Sequence, residues 1–572
     1  LATDGAGQDA ATGDIALNAA TIVLEADTVF DTDDGGTGAD GAIEFIAGAT
    51  VSSNPAYAFG LTIEAGSSSL DATSPAVTFS QLDYLKVDAQ ALTLGPTAVD
   101  DGSGNSGLAI ELTATTIYLA GNLATNANAS TTGTGGIALT GAVVVRIDDL
   151  VIDTRNSSDR GDGDVTINGD VNADDAAAWS RSLTIIAAGG AGGGSDGTVD
   201  VANLGTGANG SLDGGVTIVA ASLTTQAITT SGADAGGNAA GGAVDIDGTG
   251  PVTVGGAIHA AGLGTGNGGN VAVDAAGSST VAIQEIDASG GAGAGTSGGT
   301  IAVNNAGGSG VVTISSPITS TGTAGGGHIT FGSEVTLADD VTVSTGAGVG
   351  SVIFGGAVNA EGPSTGETLQ LTAGAGSIAF NATVGQGNPL GAITILSAAD
   401  VEADFTVDAA SLVQLAGTGT TTLHADVTTT AAQGVDLTTA AIVLDGLNVV
   451  TTGGGVVRFN GPVDLTGAVD VDAAGTITFE SAVTSSGAGS AQPLTVESDA
   501  NIDFNGTVGE GADNELGAIL IESAVNVEAD FTVEAAGLAQ LAGTGTTTLH
   551  ADVTTTAAQG VALPRRRSCW TV

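Results

Sequence analysis

The sequence predicts an all-β protein, a right-handed parallel β-helix (a solenoid) with three short strands in each coil of about 25–30 residues. Three observations lead to this fold class. Apolar residues alternate with small or polar ones in short bursts, which is the pattern of half-buried strands. Gly accounts for 94 of the 572 residues and marks frequent turns. Long segments also recur at fixed offsets, as they do in stacked repeat proteins.

The clearest repeat joins residues 401–435 to residues 527–561, at an offset of 126 residues. The first copy reads VEADFTVDAASLVQLAGTGTTTLHADVTTTAAQGV, and 32 of its 35 positions are identical in the second. The copies belong to a larger unit of about 125 residues, which covers 329–456 and then 457–561. Its small insertions fall in turns, where a solenoid tolerates them. We therefore expect this duplication to add coils.

Two other regions and a tail complete the predicted organisation. Residues 1–186 hold irregularly spaced short strands, each with apolar residues at i and i+2. Residues 187–328 are richer in Gly, and the strings GGAVDI, GGNVAV, GGTIAV and GGHITF begin there at Gly241, Gly268, Gly298 and Gly326. The spacing of these strings sets the predicted coil length. Residues 562–572, ALPRRRSCWTV, break the pattern and form an aberrant tail.

The charge balance limits the partners of this chain. Asp and Glu number 62 against 9 Lys plus Arg, which gives a net charge of −53. Nucleic-acid binding requires a basic face and is therefore excluded, and no run of apolar residues is long enough to predict direct membrane insertion. The acidity favours solubility, or alternatively the binding of Ca²⁺, which would relieve repulsion between carboxylates.

Two acidic segments are candidate Ca²⁺ sites. The candidate ligands are Asp31, Asp33, Asp34 and Asp40 in the first segment and Asp170, Asn172 and Asp174 in the second. The first segment lacks the spacing and the terminal Glu of an EF-hand loop. The second matches positions 1, 3 and 5 of a dockerin-like loop, but position 6 is Asp175 and position 12 is Arg181. Solvated turns are the alternative interpretation of both segments.

The remaining chemistry-bearing residues predict no enzyme and no cofactor other than this Ca²⁺. The four His residues are widely separated, no pair has metal-ligand spacing, and His424 has no evident partner. Neither a nucleophile elbow nor a Ser-His-Asp order is present. A polysaccharide lyase of β-helix shape needs a basic residue beside its carboxylates, whereas Lys86 and five scattered Arg are the only such residues before the tail.

Several strings carry a resemblance to a known class of protein. VTINGDVNA, GSVIFGGAVNA, GSIAFNATVGQGNPLGAITI and GTGTTTLHADVTTTAAQGV resemble the β-strand repeats of filamentous-haemagglutinin-like and autotransporter-adhesin-like bacterial exoproteins. The resemblance implies a secreted or cell-surface structural and adhesive stalk that mediates attachment or matrix assembly. Its implied partners are surface glycans or proteins of other cells, or further copies of itself.

Two alternatives to this function stay open at the sequence level. The first is a β-helix enzyme, a hydrolase or lyase acting on polysaccharide. The second is a Ca²⁺-dependent or ice-binding extension module, because Thr clusters at 420–422 and 428–430 are compatible with a flat Thr array.

Overall fold

The computed structural model describes residues 14–563, with gaps at 33–39, 46–48, 54–58, 72–76, 100–107, 126–134, 156–160, 175–179, 190–194, 207–209, 233–237, 305–309, 364–365, 487–490, 512–513 and 559. All regular secondary structure in the described residues is β-strand. The chain divides into two compact units, Leu1–Val311 with Gly322–Ala324, and Val312–Thr321 with Gly325–Val572. No helix in the described residues is long and apolar enough to cross a membrane.

In the first unit the strands stack in parallel on three faces. Face 1 contains Ile15–Leu17, Ile43–Phe45, Ser69–Asp71, Val171–Ala173 and Ile228–Thr229. Face 2 contains Thr21–Leu24, Thr50–Ser53, Thr78–Leu82, Thr97–Val99, Leu123–Thr125, Asp149–Asp153, Ser182–Ile186, Gly215–Ala220, Val244–Gly248, Val271–Ala275 and Ile301–Val303. Face 3 contains Thr28–Asp31, Leu61–Glu64, Val165–Asn168, Val199–Val201 and Leu223–Thr225. Five longer strands run from face 3 onto face 1: Leu85–Leu94, Leu108–Leu119, Gly136–Val145, Val252–His259 and Val281–Asp287.

The second unit repeats this arrangement on faces that we call A, B and C. Face A contains Ile329–Phe331, Val352–Phe354, Ile378–Phe380, Val401–Ala403, Thr420–Leu423, Ala441–Leu444, Val463–Leu465, Val483–Ser485 and Val553–Thr555. Face B contains Glu334–Leu337, Val358–Ala360, Val427–Thr429, Asn448–Thr451, Val469–Ala473, Leu494–Ser498, Leu516–Ile521 and Val561–Ala562. Face C contains Ile318–Thr319, Val341–Ser344, Leu369–Thr372, Leu390–Ser397, Val435–Leu437, Val457–Phe459, Ile477–Phe479, Asn501–Phe504, Asn526–Ala529 and Thr547–Leu549. Val407–Gln414 runs from face B to face C, Val533–Gln540 runs from face A to face B, and Val311–Ile314 spans the division between the units.

The parallel β-helix predicted from the sequence is therefore confirmed. The strand pairings in the described part of each unit are parallel, and a strand inside a stack pairs with one strand of the preceding coil and one of the following coil. The right-handed winding stays a prediction, which rests on the strong preference for right-handed parallel crossovers.

Coil length differs between the two units. In the Gly-rich part of the first unit, Val244 pairs with Val271 and Val271 pairs with Ile301, so the coils there have the length predicted from the Gly-rich strings. In the second unit, Val401 pairs with Thr421 and Thr421 pairs with Ile442, so each of these coils takes only about 20 residues. These coils are shorter than predicted because their turns are shorter.

The alternation seen in the sequence separates the core from the surface. A typical three-residue strand such as Ile378–Phe380 is buried, half-buried and buried in turn. Inward residues stack on inward residues of the next coil, as Val244 does on Val271 and Val271 on Ile301, so that apolar side chains form ladders. Most of these inward side chains are fully buried. Removing their apolar surface from water stabilises the fold by about 25 cal/mol per Å².

Phenylalanine side chains provide the bulk that these small residues lack. Three rings, of Phe331, Phe354 and Phe380, stack inside face A with centroids 5.3 Å apart at each step. A second stack, of Phe459, Phe479 and Phe504, lies inside face C, with centroids 5.4 Å and 5.1 Å apart. The two stacks occupy equivalent sequence positions in the two copies, yet they lie on different faces.

Inward threonines close several glycine-rich turns. The hydroxyl donates to a glycine carbonyl in each of the pairs Thr230–Gly242 (2.7 Å), Thr345–Gly350 (2.8 Å) and Thr451–Gly455 (2.6 Å). All three Thr side chains are buried. A buried hydroxyl without a partner would be costly, so these bonds allow Thr to take inward positions beside Val and Ile.

One glycine in each copy is required by its backbone conformation. Gly385 and Gly509 both have φ of +72°, a left-handed conformation that side chains disfavour. A Cβ at these positions would lie 2.0 Å from the Asp408 carbonyl oxygen and 1.9 Å from that of Glu534. The turns GQGNPLG and GEGADNELG therefore differ in length but both begin with Gly.

The offset between the two copies of the repeat is not a whole number of turns of the coil. On face A, the pairing runs from Val401 through Thr421, Ile442, Val463 and Val483 to Val508. The equivalent of Val401 in the second copy is Val527, and on face C its pairing runs back through Ile502, Ile477, Val457 and Val435 to Leu412. The offset between the copies thus spans five turns and two-thirds of a sixth. The second copy is consequently displaced by one face around the coil.

Candidate functional site

The first predicted Ca²⁺ segment is only partly described, because Asp33 and Asp34 lie outside the described residues. Asp31 ends a strand of face 3 and stands opposite Glu64 of the next coil. Asp40 binds the next coil: its carboxylate accepts from the Ser67 backbone N–H at 2.5 Å, and its backbone carbonyl accepts from the Ser68 hydroxyl. Its described hydrogen bonds therefore join two coils.

The second predicted segment is extended and does not form a loop around a central point. Asp170, Asn172 and Asp174 flank or lie in the strand Val171–Ala173 of face 1. Asp170 accepts from the Asn203 side-chain amide at 2.8 Å, and Asp174 accepts from Arg181 Nε at 2.9 Å. These two carboxylates thus interact with neighbouring groups of the chain rather than converging.

The positive charge of Arg181 balances the negative charge of Asp174. Its side chain is only 8% exposed and also forms an ion pair with Asp148, while its backbone N–H donates to Asp213. A cation therefore already neutralises the carboxylate that a Ca²⁺ loop would need. Within the described part of the chain, none of the predicted Ca²⁺ ligands joins a group of three potential metal ligands.

Parallel stacking places acidic side chains in columns on the outer surface. Asp247 pairs in register with Asp274, and Asp472 pairs with Glu497. Burial against neighbouring residues raises the pKa of Asp472, and repulsion from Glu497 and Asp470 raises this pKa further. The pKa of Asp247 is raised by the same two causes, burial first and then Asp245 and Asp274. The surface therefore carries negative charges that repel one another.

The structure brings together one group of potential metal ligands that the sequence interpretation missed. Glu402 lies in the strand Val401–Ala403 on face A, Asp404 directly follows this strand, and His424 follows the strand Thr420–Leu423 in the next coil. Register sets this contact, since Ala403 pairs with Leu423 and the His424 N–H donates to the Ala403 carbonyl at 3.0 Å. The ligand atoms of Glu402, Asp404 and His424 all lie within 4.8 Å of one another, and all three side chains are exposed.

The prediction that His424 has no partner is wrong. Its Nε2 lies 3.6 Å from Glu402 Oε1, and its Nδ1 lies 3.1 Å from Asp445 Oδ2 in the coil after. A carboxylate only accepts, so Nδ1 carries the hydrogen and Nε2 faces Glu402. Asp445 also accepts from the Thr466 hydroxyl at 3.0 Å. Hydrogen bonds from His424 and Thr466 hold the pKa of Asp445 below its ordinary value.

The second copy contains the same group on face C. Glu528, Asp530 and His550 occupy the equivalent positions, again with ligand atoms within 4.8 Å of one another. His550 Nε2 lies 3.0 Å from Glu528 Oε1 and 3.8 Å from Asp530 Oδ1. The position equivalent to Asp445 is Thr571, in the divergent tail and outside the described residues. The second group therefore has no carboxylate at the position equivalent to Asp445.

Each copy also encloses a small apolar cavity at the equivalent place. The first has a volume of about 10 Å³ and lies where the inward stack changes from Phe380 to Ala403. The second, of about 20 Å³, lies where Phe504 gives way to Ala529. Loss of a ring leaves space that the smaller Ala does not fill. Neither cavity is large enough for a sugar, because each has room for only about one water molecule.

The Thr clusters do not form a stacked outer array. Thr421 points inward and is buried, so only Thr420 and Thr422 of that cluster face outward. Thr422 stands between Glu402 of the preceding coil and Val443 of the following coil. A flat Thr surface would need Thr at these neighbouring positions. Strand propensity therefore explains the cluster.

Comparison with known proteins gives no relative: no protein family model, no curated protein and no solved structure matches this chain.

Proposed function

We propose that the chain is a non-enzymatic structural and adhesive extension module of a secreted or cell-surface bacterial protein. It would lengthen a stalk and mediate attachment or matrix assembly through its long acidic faces. The partners would be surface glycans or proteins of other cells, or further copies of the chain.

The observation that carries the proposal is the duplicated module of the second unit. Its two copies add turns to one continuous set of faces, and their near-identical stretch supplies strands and turns in both. The inward ladders, the turn-closing threonines and the glycines with left-handed backbone all support the stacking of coils. Such a module is suited to adding length. Turn insertions change coil size without interrupting the ladders.

The enzymatic alternative has less support. A glycoside hydrolase needs two carboxyl groups about 5–9 Å apart in an accessible cleft. The cavities found in the two copies are apolar and interior, and the acidic columns lie on outward strand faces. The Ca²⁺-dependent alternative has less support because Asp40 and Asp174 form hydrogen bonds with other groups of the chain. The ice-binding alternative has less support because Thr422 has Glu402 and Val443, and not Thr, as its neighbours in the adjoining coils.

Surface display tests the proposal. The whole chain would be anchored on a non-adherent bacterium, with an unstructured acidic chain of equal length and charge as the matched control. Cells that display the β-helix should aggregate, or be retained on cell layers, more than control cells. Equal retention of both would contradict an adhesive role. Release of reducing ends from a panel of polysaccharides would instead establish an enzyme.

A further inference from the structure

We infer that each copy of the repeat carries a divalent transition-metal site of the Zn²⁺ class, formed by Glu402, Asp404 and His424 in the first copy and by Glu528, Asp530 and His550 in the second. The inference is independent of the proposed function. It concerns residues outside both segments that the sequence analysis assigned to Ca²⁺.

The distances between ligand atoms fit a common metal ion. Zn²⁺ binds nitrogen and oxygen at about 2.0–2.1 Å, so ligand atoms of a tetrahedral site lie about 3.3 Å from one another. In the first copy, Nε2 and Oε1 of Glu402 are 3.6 Å apart. In the second, the distances from Nε2 to Glu528 and Asp530 are 3.0 Å and 3.8 Å. The remaining ligand atoms, including those of Asp404, lie within 4.8 Å of one another, so contraction by up to about 1.5 Å, which rotation of exposed side chains allows, would bring both groups to metal geometry.

The imidazole makes this group different from the acidic columns elsewhere on the surface. Asp445 accepts from Nδ1–H of His424 and so fixes the tautomer in which the Nε2 lone pair faces Glu402. A carboxylate that holds the remote nitrogen of a metal-binding His both orients the ring and makes it a stronger donor. Asp445 is therefore a positioning residue of the first site rather than one of its ligands.

The ligand set determines the class of metal. Ca²⁺ prefers six to eight oxygen ligands, and each group offers only two carboxylates. An imidazole with two carboxylates suits Zn²⁺ and its neighbours in the first transition series. The three protein ligands leave a fourth tetrahedral position, which water can occupy because the side chains are exposed.

Titration calorimetry of the full chain with Zn²⁺ tests the inference. Millimolar Ca²⁺ in the buffer would occupy the general carboxylate surface. The wild-type chain should bind two equivalents of Zn²⁺ through its histidine sites. The variants His424→Ala and His550→Ala should each bind one equivalent fewer, and the double variant should lose both. His328→Ala is the matched control and should bind as wild type, since His328 belongs to neither group. Circular dichroism would verify that each variant is folded.

The natural difference between the copies supplies a second comparison. Asp445→Asn should weaken the first site about tenfold or more, the usual effect of losing such a partner, and should leave the second site unchanged. Nitrogen NMR of the His424 ring should show Zn²⁺ shifting the Nε2 resonance while Nδ1 keeps its proton. If the double His variant binds Zn²⁺ with wild-type stoichiometry and affinity, the metal is adventitiously bound to carboxylates and the inference is wrong. An unchanged first site in Asp445→Asn would overturn the role assigned to Asp445.

Discussion

At the scale of single residues, identical side-chain types have opposite roles according to the direction in which they point. Phe479 is fully buried between the rings of Phe459 and Phe504. Phe405, in the first copy of the repeat, is 50% exposed in a turn. The sequence alternation does not distinguish them, because Phe479 lies two positions after buried Ile477 and Phe405 lies two positions after buried Ala403. Phe405 is exposed because it falls between two strands, where the alternation is interrupted.

The first prediction uses this pair of phenylalanines. Phe479→Ala should destabilise the neighbouring coils by about 3–5 kcal/mol, since it removes a fully buried ring and leaves a cavity. Phe405→Ala should change stability by no more than about 0.5 kcal/mol, as surface substitutions do. Hydrogen exchange at increasing denaturant, measured on peptides from strands Val457–Phe459 and Asn501–Phe504, gives the local opening free energies. Equal effects of the two substitutions would show that the inward stack is incorrectly assigned.

Arginine gives a second contrast at the residue scale. Arg181→Gln should lower stability by about 1–3 kcal/mol, because a nearly buried guanidinium that bonds to Asp148 and Asp174 is lost. Arg458→Gln is the control: that side chain is 48% exposed beside Glu480, and exposed ion pairs contribute about 0–1 kcal/mol. Thermal unfolding of both variants would check the difference. A larger loss in Arg458→Gln than in Arg181→Gln would contradict the structural role of Arg181.

At the scale of strands, the sequence predicted those elements that carry two apolar residues at i and i+2. The strand Ile43–Phe45 has buried Ile43 and Phe45 at these positions, and the strand Ser182–Ile186 has buried Leu183 and Ile185. The strands Thr97–Val99 and Leu123–Thr125 were missed. In each of them an inward position holds a buried Thr, so the apolar alternation is incomplete. Backbone hydrogen bonding along the coil, and not side-chain hydrophobicity alone, maintains such strands.

The acidic columns lead to a prediction about pH. The raised pKa of Asp472 means that the folded state binds its proton more tightly than the unfolded state, so this residue reduces stability as the pH rises through its folded pKa. Asp472→Asn should therefore be more stable than wild type at about pH 7, and the advantage should shrink as the pH falls towards the ordinary aspartate pKa of about 3.9. Thermal unfolding across this interval is the measurement, and about 1 M salt should weaken the effect.

Asp340 is the control of opposite sign. Its pKa is lowered by hydrogen bonds from the backbone and side chain of Thr368, with the backbone N–H at 2.8 Å. A lowered folded pKa gives stability that is present above the unfolded pKa and lost as the pH falls through the folded value. Asp340→Asn should thus be less stable than wild type at about pH 7, well above the ordinary aspartate pKa. Shifts of the same sign in both Asn variants would contradict this account of the columns.

At the scale of the molecule, the three faces of the second unit are interchangeable. The near-identical stretch lies on faces A, B and C in the first copy, starting at face A, and starts at face C in the second. Each face requires the same inward alternation and the same spacing, so one sequence fits any of them. A duplication need not contain a whole number of turns, which widens the range of insertions that preserve the fold.

The metal-ligand groups could not be predicted from the sequence for a related reason. Glu402 and His424 meet because the coils in this part of the chain are shorter than the spacing of the Gly-rich strings indicated. Turn length varies from coil to coil, and a one-residue error in register moves a side chain to the opposite side of the strand. The recurrence of His424 as His550 in the second copy was the available signal, and the ligands of each His became evident only with the register.

The most direct test of the account compares two deletions in this unit. Removing residues 422–442 excises one whole turn and joins inward Thr421 to outward Val443, so that the alternation is preserved. Removing residues 422–441, a deletion shorter by a single position, joins two inward positions and turns Ile442 and Leu444 towards solvent. Exposing each of these buried side chains costs about 1.5–3 kcal/mol. Thermal unfolding followed by circular dichroism should show near wild-type stability for the whole-turn deletion and clear destabilisation for the other. Equal unfolding of the two variants would contradict a parallel coil in which Thr421 stacks on Ile442.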